Sequence, residues 1–129
     1  MKKIKNFFKI GFYLANIILI ILYLFPGSIL GWFLYNDLLI QPQITRDFIV
    51  SANHVYAFIL LTSLGVFSFH HTKKSNFLIA YLFLLSVILE LFHIIIPIRA
   101  FEISDLFGNI VGVMLVVFIY EIIVRYEKI

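Results

Sequence analysis

Four long apolar runs constrain the fold of this chain more than any other feature. The chain is 63% hydrophobic and only 13% charged, whereas soluble domains contain about 25% charged residues. A helix needs about 20 mostly apolar residues to cross a bilayer, and the runs have about that length. They cover approximately residues 8–26, 49–69, 76–96 and 105–124. We therefore predict an all-α integral membrane protein with four transmembrane helices, forming a single domain over residues 1–129.

The first run follows a basic segment that contains Lys2, Lys3, Lys5 and Lys9. Such a start is also typical of a secretory signal peptide. However, the apolar run is longer than the corresponding region of a signal peptide, and no small-x-small cleavage motif follows residues 26–28. We predict that this segment is retained as the first span. Its polar interior residue, Asn16, is expected to form a hydrogen bond with another helix.

Residues 27–48 are too short and too interrupted to form a span. An apolar patch around Trp32 and Tyr35 is broken by Asn36-Asp37 and then by Pro42. Because Trp and Tyr favour the membrane–water interface, we predict a short interfacial or re-entrant helix that ends before Pro42. A plain loop with aromatic anchors is the alternative.

The basic residues predict the orientation of the four spans. Arg46 and Arg99 fall on one side of the membrane. The other side carries Lys2, Lys3, Lys5, Lys9, Lys73, Lys74, Arg125 and Lys128. Cytoplasmic loops carry the excess of Lys and Arg, so both termini of this multi-pass protein are expected in the cytoplasm.

Several kinds of chemistry are not predicted by the sequence. The chain has no cysteine, which excludes disulfides, thiol catalysis and thiolate metal sites. His70 and His71 are adjacent, but adjacent helical side chains point about 100° apart, so we predict a solvated turn and no metal site there. Nothing in the sequence indicates a cofactor or a nucleic-acid partner.

Polar residues concentrate between Glu90 and Gly112, around the junction of the third and fourth spans. Ionisable residues are expensive in a membrane and are functional candidates by default. Helical spacing places His93 one turn above Glu90, and Arg99 follows in a tight connection. The candidate ligand-binding residues are Glu90, His93, Arg99, Asp105 and Asn109, with His54 from the second span. For His54, a simple hydrogen bond to a neighbouring helix is an equally good interpretation.

Two interpretations of this cluster remain open. In the first, it is a polar clasp in which Arg99 bridges Asp105 or Glu90 and fixes the helix pair. In the second, Arg99 binds a phosphate or carboxylate through its planar fork. We favour the second because two helices do not need five polar groups to hold together. In either case we expect at least one contact between Arg99 and a carboxylate.

The same residues resemble the signature of VanZ-like membrane proteins. The matching residues are Glu90, Pro97, Arg99, Ser104, Asp105, Asn109 and Gly112, with His54 and Phe58 in the second span. His93 stands where Gln is expected in the family. The family commonly has an acidic–basic pair just before the His, and this chain has Val50 and Ser51 there instead. The resemblance then implies that this chain either lacks part of the family's site or uses Asp47 in its place.

The resemblance implies a setting in the bacterial cell envelope and an association with glycopeptide (teicoplanin) resistance. We expect a protein without enzymatic activity that recognises an anionic lipid or a lipid-linked glycan headgroup at the outer leaflet. One alternative is a structural subunit that binds protein partners in an envelope complex. The other is a small intramembrane enzyme acting on a lipid phosphate or ester, with His93 or His54 as the acid–base group.

Overall fold

The computed structural model describes all 129 residues and contains five helices and no strand. The helices are α1 (Lys2–Leu24), α2 (Ile29–Tyr35), α3 (Ala52–Phe69), α4 (Ser75–Phe92) and α5 (Ile103–Tyr126). All except α2 are long and apolar enough to cross a membrane. The prediction of an all-α protein with four spans and a short helix between the first and second is confirmed. The chain is a multi-pass membrane protein.

Two helix ends at the polar cluster differ from the approximate bounds predicted for the spans. The third span was expected to reach residue 96, but α4 ends at Phe92 and continues as single turns, in which the His93 amide donates to the Glu90 carbonyl. Pro97 therefore follows the end of this helix without causing it. The second span begins at Ala52 and not at residue 49, because the Asp47 carboxylate accepts a hydrogen bond from the Ala52 amide at 2.9 Å. A carboxylate at this position satisfies one of the free amides of the first turn.

The four spans form an antiparallel bundle in which α3 contacts each of the other three. The core lies along α3 and α4 and includes Phe58, Leu61, Leu82 and Leu89. The hydrogen bond predicted for Asn16 is confirmed, since it accepts from the Tyr81 hydroxyl of α4 at 2.8 Å. Alternation of direction places the C-terminal ends of α1 and α4 beside the N-terminal ends of α3 and α5. We call this the site end of the bundle.

Close packing of α5 against α3 depends on Gly108 and Gly112. A Cβ atom at Gly108 would lie 2.8 Å from the Ser51 carbonyl oxygen, and one at Gly112 would lie 2.7 Å from that of Val55. Real Cβ atoms do not approach backbone that closely. The GxxxG spacing therefore serves packing within the chain and brings the first two turns of α5 onto α3.

The short helix α2 and residues 41–44 lie at the site end, where they line a cavity beside His54 and Arg99. The Ser28 hydroxyl accepts a hydrogen bond from the Gly31 amide at 2.9 Å and caps α2. The helix ends at Asn36, whose φ of 55° lies in the left-handed region that Asn tolerates better than most residues. The outer side chains of α2, including Trp32 and Phe33, are exposed.

Candidate functional site

Asn109 lies at the centre of a buried polar network that joins all four spans. Its side chain is fully buried, and its amide nitrogen donates to the Ser86 carbonyl at 3.0 Å. This bond orients the Asn109 oxygen toward Tyr23 and His54. That oxygen accepts from the Tyr23 hydroxyl at 2.5 Å and contacts His54 Nδ1 at 3.0 Å. Because an amide oxygen can only accept, Nδ1 of His54 must carry the hydrogen.

Glu90 and His93 form a second buried unit at the end of α4. Glu90 is 0% exposed, and its Oε1 lies 3.1 Å from His93 Nδ1 and 3.3 Å from the Glu102 amide nitrogen. His93 Nε2 donates to the Tyr23 carbonyl at 2.9 Å. The rings of Tyr23 and His93 stack at 5.7 Å. These contacts fix the end of α4 against α1 and the start of α5.

His54 lies between the two carboxylates of the cluster. Its Nδ1 is 3.9 Å from Glu90 Oε2, and its Nε2 is 3.5 Å from Asp105 Oδ2. Glu90 Oε2 is buried and has no hydrogen-bond partner. His54 therefore belongs to the polar cluster and is more than a link between two helices.

Arg99 does not make the predicted carboxylate contact. All ion pairs within 4.0 Å in the structure involve histidines. Arg99 instead donates to the carbonyls of Leu22, at 2.7 Å, and Phe25, at 3.2 Å. The prediction of a clasp through Asp105 or Glu90 is wrong, because the free carbonyls at the C-terminal end of α1 compete for the guanidinium and favour a cation.

The backbone before Arg99 helps to aim this side chain at α1. Ile98 has a φ of 64°, in a region that β-branched residues rarely adopt. Partial burial lowers the pKa of Arg99 below its ordinary value, and the nearby groups Tyr23, Glu90 and Asp105 oppose this shift. The guanidinium remains charged at neutral pH.

The structure brings five predicted residues into one network, while Arg99 lies beside it. The five are Glu90, His93, Asp105, Asn109 and His54. Sequence reasoning missed Tyr23, which is 7% exposed and contacts three of them. A tyrosine near the end of a span is normally an interfacial anchor, so nothing in the sequence marked Tyr23 as part of the site. Asp47, the suggested substitute for an acidic residue, caps α3 and also faces a cavity at this end.

Two adjoining cavities open beside the network. The first has a volume of about 650 Å³ and is lined mostly by apolar side chains of α1, α2 and α3. The second, of about 340 Å³, is lined mostly by polar residues that include Asp47, Glu102 and Asp105. His54, His93 and Arg99 line both cavities. An apolar groove therefore meets a charged pocket at these three side chains.

The opposite end of the bundle contains a smaller and more exposed cluster. His70 Nε2 and His71 Nε2 lie 3.5 Å and 3.2 Å from Glu127 Oε2. The predicted solvated turn is confirmed, but Glu127 lies beside the two histidines as a third polar group that the sequence did not indicate. His71 has a φ of 57°, so the turn is not helical and the two rings converge on the end of α5.

A scan of protein-family models, a search of curated proteins and a search of solved structures each found no match. The VanZ-like resemblance therefore depends on the motif residues of this chain alone and stays a prediction.

Proposed function

We propose that this chain is a VanZ-like protein of the bacterial cell membrane that binds an amphiphile with an anionic headgroup, either a phospholipid or a lipid-linked glycan. One observation carries the proposal. The apolar cavity of about 650 Å³ adjoins the polar cavity at Arg99, His54 and His93. Ligand sites usually combine an apolar lining with a few placed polar groups. An acyl chain suits the first cavity and a headgroup suits the second.

Arg99 is the group best suited to an anionic headgroup. Two of its hydrogen-bond donors hold α1, and a guanidinium has five donors in all. The remaining donors are free for a phosphate or carboxylate. Arg99 lines both cavities, so its charge lies where a headgroup would meet an acyl chain.

Binding explains the histidines better than catalysis does. His93 uses one ring nitrogen for Glu90 and the other for the Tyr23 carbonyl. His54 Nδ1 is directed to Asn109 and Tyr23. A general base must reach the proton that it abstracts, and the only ring nitrogen of the two without a hydrogen bond faces Asp105. We therefore favour lipid binding over an intramembrane enzyme.

Filling the apolar cavity tests the proposal. Ala57 lines this cavity, whereas Ala80 lies on the exposed surface of α4 and lines neither cavity. Lipids that co-purify with each variant are counted by native mass spectrometry. We expect Ala57→Trp to lose bound lipid while Ala80→Trp retains it, with both variants folded. Equal retention in the two variants would reject the cavity as the lipid site.

The orientation is part of the same proposal. The basic residues lie at the end opposite the site, apart from Arg46 and Arg99, and this supports cytoplasmic termini. The site end would then face the outer leaflet. Reporter fusions after residues 72 and 102 test this orientation, and an external signal at residue 72 would contradict it.

A further inference from the structure

We propose that His54, Glu90 and Asp105 form a binding site for a divalent transition-metal cation of the Zn²⁺ or Mn²⁺ class. One ligand atom from each residue lies within 4.8 Å of the other two. One imidazole nitrogen and two carboxylates are ligands that such ions accept. The inference rests on this geometry and does not depend on lipid binding.

The tautomer of His54 leaves Nε2 available to a cation. Nδ1 carries the hydrogen because it faces the Asn109 amide oxygen at 3.0 Å. In the neutral ring, Nε2 then presents a lone pair to Asp105 Oδ2 at 3.5 Å. Two lone pairs that face each other at this distance need a proton or a cation between them. Two ligands about 2.1 Å from a tetrahedral ion are separated by about 3.4 Å, which matches this pair.

The second carboxylate oxygen of Glu90 supplies an independent indication of a missing ligand, because it has no partner in the structure. Its Oε1 is held by His93 and by the Glu102 amide, so Oε2 points into the cluster, 3.9 Å from His54 Nδ1. This oxygen is buried without a hydrogen bond, which is costly for a carboxylate. A divalent ion would neutralise both carboxylates and give Oε2 a ligand bond. Closing the site requires side-chain movements of roughly 1 Å to reach ordinary bond lengths.

The residues around the three ligands also fit an ion site. His54 and Asp105 line the polar cavity, which gives a hydrated ion a path to the cluster. The Asn109 oxygen contacts His54 Nδ1, on the side of the ring away from the ion, and His93 contacts Glu90 Oε1. Hydrogen bonds of this kind orient the ligands of metal sites. A bound cation would also offset the carboxylates of this cavity and so favour an anionic headgroup.

A proton on His54 is the competing account of the same geometry, and zinc titration distinguishes the two. The full chain is stripped with a chelator in detergent micelles without added lipid, and Zn²⁺ affinity is measured by competition with an indicator dye, then repeated with Mn²⁺. All variants carry His71→Ala and Glu127→Gln, which removes the exposed cluster at the opposite end. Lipid retention is measured separately without metal, so failure of one proposal leaves the other testable.

The variants compare carboxylates of the same cavity. We expect Asp105→Asn and Glu90→Gln to weaken Zn²⁺ binding by more than about tenfold. Glu102→Gln removes the same charge from an exposed residue of that cavity and should leave affinity within about twofold. If Glu90→Gln does not fold, Asp105→Asn alone decides. The proposal is overturned if the chain binds no Zn²⁺ near neutral pH, if Glu102→Gln weakens binding equally, or if binding disappears with the His71 and Glu127 substitutions.

Discussion

The two ends of the bundle use the same residue types in different surroundings. At the site end, Glu90 is 0% exposed and its partner His93 only 3%. At the opposite end, Glu127 is 44% exposed and His71 60%. Both ends pair a carboxylate with an imidazole at 3.1 to 3.2 Å, so distance alone does not separate them.

Burial decides what each pair contributes. An exposed ion pair contributes about 0–1 kcal/mol because water screens both charges. Removing one partner of a buried pair costs about 3–5 kcal/mol, because the remaining polar groups then have no partner and water cannot reach them. The site end should therefore be sensitive to single-atom changes, while the opposite end should tolerate them.

The largest contrast is expected between the two glutamates. Glu90→Ala leaves His93 Nδ1 and the Glu102 amide without their acceptor and should lower the free energy of unfolding by about 3 kcal/mol. Glu127→Ala should lower it by less than about 1 kcal/mol. Denaturant unfolding in micelles measures both, and similar losses for the two variants would remove the distinction between the ends.

A smaller contrast is expected between two helical glycines. Gly112→Ala would place Cβ 2.8 Å from the Phe58 Cβ and should cost about 2 kcal/mol through overpacking. At Gly11 of α1 the nearest atom is Leu64 Cδ2 at 3.7 Å, so Gly11→Ala should be neutral or stabilise the helix by up to about 1 kcal/mol. Thermal unfolding of the two variants gives the comparison. A stable Gly112→Ala protein would show that α3 and α5 are not held this closely.

Two tyrosines provide a finer comparison. Tyr23→Phe removes a hydroxyl that contacts Asn109 and His54 at 2.5 and 3.0 Å, and we expect a loss of about 1–2 kcal/mol. Tyr120 makes two contacts of 3.3 Å at the opposite end, and Tyr120→Phe should cost about 0.5 kcal/mol. Unfolding in the same denaturant series tests the order. A larger loss of stability for Tyr120→Phe than for Tyr23→Phe would show that the buried network is no more tightly constrained than the opposite end.

The sequence was sufficient to predict the four spans, because a run of about 20 apolar residues leaves few alternatives in a bilayer. It was less reliable at their ends. The start of α3 depends on the Asp47 carboxylate, and the end of α4 on turns around His93. Such local bonds do not alter hydrophobic periodicity, so boundaries drawn from that pattern miss them.

The sequence predicted which residues belong to the candidate site but not which of them contact one another. Polar side chains in an apolar chain identified Glu90, Asp105 and Asn109 as members. It failed for Arg99, whose acceptors are backbone carbonyls of Leu22 and Phe25. Backbone groups carry no sequence signature, and nearby carboxylates were the visible alternative.

The most direct test of ligand binding at the site end is Arg99→Lys, with Arg46→Lys as the matched control. Lys keeps the charge but loses the planar fork that binds phosphate in two places. Arg46 lines neither cavity. Retention of anionic lipid and the free energy of unfolding are measured on the same sample in nanodiscs. We predict that Arg99→Lys loses most of the anionic lipid with a stability loss of no more than about 2 kcal/mol, because Lys can still donate to one of the two α1 carbonyls, whereas Arg46→Lys changes neither. Lipid retention that is unchanged in Arg99→Lys, or that falls only in step with stability, would contradict the account.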